Sequence, residues 1–153
     1  MYIFFLGLHN VLRWLVLLGL LAPIVAAIQG SLSNRSFGRG DALLLQLANG
    51  FTHTQLLLGL VLYFGFSPLT MQFFGSGVAV DLTGIFENQM LFFALYHSVL
   101  MFISVVVMSI GGSLARRAED DARKFNIIAR FYGIALLLVL AAIPWFRPLL
   151  ANF

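Results

Sequence analysis

The sequence predicts an all-α integral-membrane protein, a four-helix bundle of up-down-up-down topology with both termini outside. Hydrophobic residues make up 61% of the 153-residue chain and charged residues 10%, against about 45–50% and about 25% in ordinary soluble domains. Four apolar stretches, Tyr2 to Ile28, Ala42 to Phe66, Met90 to Ile110 and Ile127 to Phe146, match the roughly 20 residues that cross a hydrocarbon core. The cations fall in two of the three connections. Arg35 and Arg39 follow the first stretch, and Arg116, Arg117, Arg123 and Lys124 follow the third. Between Ser67 and Gln89 there are Asp81 and Glu87 but no Lys or Arg. Basic loops stay on the cytoplasmic side, so the termini and the central segment are expected outside.

The first span opens without a basic segment and carries Arg13 within it, the pattern of a retained helix and not of a cleaved signal peptide. Arg13 cannot lose its charge, and near mid-span it needs an interior partner: a haem propionate, a quinone headgroup or backbone carbonyls. Trp14 beside it is expected to pack rather than anchor at an interface. In the second span Gln46, Asn49 and His53 step by three and four, and in the third His97, Met101, Ser104 and Met108 step by four, three and four. Such spacing puts each set on one helix face. Lipid offers no hydrogen-bond partner, so both faces are expected to point into a polar core.

The fourth span has no histidine and reads as scaffold. Arg130 and Tyr132 lie near its start, Ala129 and Gly133 form a small-residue step suited to close helix contact, and Pro144, Trp145 and Arg147 mark the outer end. The segment from Ser67 to Gln89, with Pro68, Gly75, Gly77, Gly84, Phe73 and Phe74, suits either an interfacial segment or a lid over the bundle. The single domain, 1–153, leaves no room for a separate soluble unit, and no repeat interrupts it.

The net charge of +3 marks topology and gives no support for nucleic-acid binding. The mixed run Arg116 to Lys124 reads as a solvated turn at the membrane surface. With no cysteine there is no disulfide, thiolate site or covalently attached haem. No nucleophile–base pair, phosphate-cradling loop or paired carboxylates support hydrolase or transferase chemistry.

The three histidines carry the functional signal. His9, His53 and His97 each lie inside a span, and an ionisable or metal-ligating group at membrane depth is a functional-site hypothesis. At 1.5 Å per residue, His9 lies roughly 9 Å outward of mid-span, His97 roughly 4–5 Å outward and His53 near the centre. The first and third helices of such a bundle are diagonal neighbours. His9 and His97 are thus expected to face each other as two axial metal ligands, with His53 and His97 as the second pair. Arg13, Asn49 and Met101 complete the candidate cofactor-binding residues, although Met is also a common gap filler and Asn49 a common helix–helix bond.

Taken together, His9-Asn-Val-Leu-Arg13-Trp14, the run from His53 through Gly59 to Tyr63, Tyr96-His97 with Met101, the Arg116 run and Ile143-Pro-Trp145 resemble a family of small four-span bacterial membrane proteins described as cytochrome b or cytochrome b-like. The resemblance covers nearly the whole chain. It implies non-covalent haem b in the bacterial cytoplasmic membrane, with electron transport alone or within a respiratory-chain complex. Its partners would be the bilayer, a quinone or quinol, and other redox subunits or further copies of the chain. Relatives are expected to carry a further histidine where this chain has Gly111 and Gly112. The competing reading is a haem-free accessory subunit, or a metal or small-solute transporter with a histidine-lined core. Transport is disfavoured because no carboxylate lies within a span.

Reporter fusions test the orientation. Fusions after Gly40 and Ala118 are expected to be cytoplasmic and one near Gly77 exported; an exported reporter at Gly40 reverses the topology.

Overall fold

A computed structural model describes residues 1–75, 77 and 84–147; Asp81 lies outside the described residues. Among the described residues five helices form: α1 (Tyr2–Leu32), α2 (Arg39–Phe66), α3 (Pro68–Gly75), α4 (Gln89–Arg117) and α5 (Asp121–Ala142). Helices α1, α4 and α5 are each long and apolar enough to cross a membrane, and α2 with α3 passes the same test as one bent pair. Their outward faces agree with that reading. Leu18, Leu57 and Leu137 are more than 60% exposed, and a soluble monomer rarely shows water so large an apolar surface.

Each helix boundary has a local cause. Pro68 occupies the first position of α3, where its missing N–H is harmless, and it forces the preceding Ser67 into an extended conformation (ψ 115°). That break bends α3 by 54° from α2, so part of the central segment is helical. Pro144 ends α5 the same way: Ile143 is extended (ψ 131°). Asp120 caps the start of α5 by accepting the Arg123 N–H at 2.8 Å.

Between α1 and α2, Asn34 turns the chain with positive φ (50°). Arg35 then grips both Asp41 carboxylate oxygens at 2.6 and 2.7 Å, reaches the Ala26 carbonyl at 3.3 Å, and covers the Phe125 ring at 4.9 Å. Two-pronged guanidinium–carboxylate pairing is the strong form of this contact. It ties the end of α1 to the start of α2 and to α5.

Helix α1 packs against α2 and α5, and α4 packs chiefly against α5. This arrangement makes α1 and α4 diagonal. The buried core is made of Val16, Leu20, Leu45, Ala48, Met108, Tyr132, Ala135 and their neighbours. Ser104, 1% exposed, donates to the Ala135 carbonyl at 3.0 Å and joins α4 to α5.

The polar face expected on α2 does not point inward. Asp41, Leu45, Ala48 and Thr52 take the buried positions, whereas Gln46 and His53 are exposed and Asn49 half-buried. Apolar packing along 41, 45, 48 and 52 sets the rotation of the helix and carries His53 outward. The small-residue contact is also displaced. A Cβ at Gly133 meets nothing within 4 Å, but one at Gly111 falls onto Phe131, 2.7 Å from its Cγ, and one at Gly112 comes within 3.0 Å of the Tyr132 hydroxyl. Close approach of α4 and α5 is made by α4.

Gly111→Ala is therefore expected to destabilise the protein by about 1–3 kcal/mol through overpacking. Gly50→Ala, with open space at its Cβ, is expected to be neutral or to stabilise by up to about 1 kcal/mol. Unfolding in detergent measures both, and equal midpoints would refute the contact.

Candidate functional site

The ends of α2 and α4 nearest α3 each contain a wide π turn, Leu62–Phe66 and Phe92–His97. Such turns displace carbonyls from their usual partners. Here side chains take them up: Tyr63 donates to the Ala94 carbonyl at 2.9 Å, Ser98 to the same carbonyl at 2.8 Å, and the buried Thr70 of α3 to the Tyr63 carbonyl at 2.6 Å. The two π turns and α3 are thereby joined beside the last residue of the second turn, His97.

His97 faces the end of α5. Pro144 stops that helix and leaves its last carbonyls without helical donors. His97 Nδ1 bonds the Ala142 carbonyl at 2.8 Å, and Trp145 Nε1 donates to the Leu140 carbonyl at 2.9 Å. A carbonyl only accepts, so Nδ1 of His97 carries a proton, and in the neutral ring Nε2 keeps its lone pair. Ligating histidines are commonly oriented in this way.

His9 of α1 meets His97 across the diagonal, with ring centres 6.4 Å apart and planes at 64°. Two imidazoles on one metal ion, at about 2.0–2.1 Å per bond, place their ring centres roughly 6 Å apart. The separation suits a shared ion. His9 Nδ1 is buried with no hydrogen-bond partner, and its ring lies where Gly59 of α2 supplies no side chain; a Cβ there would be 3.5 Å from His9 Cε1.

Two groups that sequence reading passed over belong to this region. Gln55 donates from Nε2 to the His9 carbonyl at 2.9 Å, while its Oε1 is buried without a partner, as is Thr52 Oγ1. With His9 Nδ1, three unsatisfied polar atoms lie along the α1–α2 seam. Buried polar groups are normally paired, so this seam is equipped to meet a polar ligand. Gln55 lies within the His53-to-Tyr63 run, but spacing alone favoured Gln46 over it.

Arg13, one turn from His9, is 9% exposed and near enough for its charge to act on both rings. Its guanidinium also lies 5.7 Å from the Trp14 ring centre, and Trp14 itself is 40% exposed. Aromatic rings wall the site toward α3. Phe92 and Phe93 lie 6.2 and 5.6 Å from His97, Phe146 lies 5.1 Å from Phe92, and Phe5 stacks on Phe66 at 5.1 Å.

The remaining candidates stand apart or play packing roles. His53 bonds the Asn49 carbonyl at 2.8 Å through Nδ1 and approaches Ser109 at 3.4 Å through Nε2. Ser109 is twelve residues beyond His97, roughly 18 Å along a helix, so His53 does not join the pair. Asn49 donates to the buried Tyr132 hydroxyl at 3.1 Å and to the Leu45 carbonyl at 2.7 Å. Met101 is half-buried against the core. Among the described residues no three His, Cys, Asp or Glu side chains converge, so a site made of protein ligands alone is not formed by them.

Thr52→Val replaces an unpartnered buried hydroxyl by a methyl of the same shape. In ligand-free protein it is expected to raise stability by about 1 kcal/mol, read as the unfolding midpoint; a loss of similar size would mean that the hydroxyl is already paired. No family model, curated protein or solved structure matches this chain.

Proposed function

We propose that the chain is a four-span b-type cytochrome-like protein of the bacterial cytoplasmic membrane, with both termini outside, that holds non-covalent haem b through His9 and His97. It carries electrons alone or as the haem-bearing subunit of a membrane redox complex. The juxtaposition of the two imidazoles at 6.4 Å carries this reading. The donor set fits: two neutral nitrogen ligands are what a haem iron takes from a bis-histidine site, and no third protein ligand is required.

Haem b, when bound, supplies a one-electron couple at iron. The chain's residues do the rest. The Ala142 carbonyl holds His97 in the tautomer that presents Nε2 and makes that nitrogen a better donor. The rings of Phe92, Phe93 and Phe146 keep water from the imidazoles, so nearby charges act at low dielectric. Arg13 stabilises the site's more negative state and offers a cationic anchor for a carboxylate or quinone oxygen. Thr52 and Gln55 present one hydroxyl and one amide oxygen to whatever fills the seam.

Single alanine variants test the assignment. His9→Ala and His97→Ala are expected to lose the sharp reduced alpha band or the haem itself, and His53→Ala to keep both. Arg13→Leu is expected to keep ligation and lower the midpoint potential, since removal of a nearby cation disfavours the reduced form. A normal spectrum in His9→Ala with loss in His53→Ala would move the ligands to α2 and α4. A colourless preparation grown with ample haem precursor would favour the haem-free accessory role.

A further inference from the structure

A second site is indicated at the opposite end of the molecule, where α4 turns into α5. A cleft of about 950 Å³ opens there, lined by Arg117 of α4, by Arg123, Asn126 and Arg130 of α5, and by the apolar Leu114 and Phe131. Positions 123, 126 and 130 step by three and four, so three polar side chains share one face of α5. Glu119 and Asp120 also line the cleft, but Asp120 is engaged by the start of α5. Three guanidinium groups against two carboxylates leave the cleft cationic.

The apolar surface next to the cleft decides among anions. The same face of α5 continues from Arg130 to Ile134 and Leu137, which are 50% and 67% exposed; on α4, Arg117 is followed one and two turns away by Leu114 and Ile110, at 41% and 48%. Both helices are among those long and apolar enough to cross a membrane. A free anion matches only the arginines. An amphiphile matches both, with its charge in the cleft and its chain along the groove.

We propose that this cleft binds the headgroup phosphate of an anionic phospholipid, with an acyl chain lying along the exposed faces of α4 and α5. Basic pockets between membrane helices are suited to such headgroups, and each cation near the surface contributes about 1 kcal/mol. Arg130 is the deepest of the three. It meets the phosphate from the bilayer side while Arg117 and Arg123 meet it from the aqueous side. This site is independent of the histidine pair.

Native mass spectrometry of the full chain in mild detergent, with equal amounts of phosphatidylglycerol and phosphatidylcholine of matched chains, tests the proposal. The wild type is expected to retain phosphatidylglycerol at least about tenfold more strongly. Arg123→Gln with Arg130→Gln is expected to lower that affinity roughly thirtyfold, whereas the charge-matched pair Arg39→Gln with Arg147→Gln leaves the preference in place. If the Gln pair loses helicity, Arg117→Glu decides instead: it reverses one charge in the cleft and is expected to lower the preference roughly thirtyfold, and an unchanged preference overturns the proposal. Equal retention of the two lipids overturns the proposal, as does an equal loss in the Arg39 and Arg147 pair. Displacement of the lipid by excess inorganic phosphate overturns the commitment to a lipid.

Discussion

The hydrogen bond from His97 to the Ala142 carbonyl is the interaction on which the half of the molecule around α3 depends. Its origin is a single imino acid. Pro144 cannot continue a helix, so α5 stops and exposes carbonyls that lipid cannot satisfy. One of them is answered by an imidazole from α4, which fixes the ring, its tautomer and the nitrogen it presents. The wide turn that ends at His97 belongs to the same solution: its Ala94 carbonyl accepts from both Tyr63 and Ser98, and the Tyr63 bond ties α2 to α4 beside the ring. A backbone constraint at one helix end is thus converted into a defined orientation for a side chain on another.

The two ends of the molecule are held differently. At the Arg35 end, a two-pronged ion pair, a capped helix start and a guanidinium over Phe125 close the connections tightly. Gly30 beneath Phe125 and Gly111 beneath Phe131 leave no space for a side chain. A histidine at position 111 has no room here. At the His97 end, by contrast, two helices carry wide turns, and polar atoms of His9, Thr52 and Gln55 stay unsatisfied. Outside the α4–α5 cleft, the buried seams are packed closely at the Arg35 end, whereas at the His97 end they keep unsatisfied polar atoms.

Much of this was legible in the sequence, for identifiable reasons. Apolar length announced the membrane helices, and the diagonal relation of the first and third spans, with the similar depths of positions 9 and 97, anticipated the meeting of His9 and His97. The rotation of α2 was not legible. Gln46, Asn49 and His53 have the right spacing for a buried face, but Leu45, Ala48 and Thr52, one position earlier, have it too, and only packing against α1 chooses between them. The same one-residue ambiguity concealed Thr52 and Gln55. The wide turns were invisible because an inserted residue changes helical phase without any compositional mark, and the helix at Pro68 was hidden in a segment whose glycines argued for a loop.

The two imidazoles that meet come from positions 9 and 97, and the carbonyl that orients the second comes from position 142. No contiguous stretch of chain contains the site. During synthesis α1 and α2 can pair early, drawn together by the short connection that Arg35 closes, but the pair of rings exists only after α4 has come alongside, and its orientation only after α5 has ended against it. The site therefore cannot be complete before α5 has been made, and anything that requires both oriented rings discriminates a full-length molecule from its shorter nascent forms.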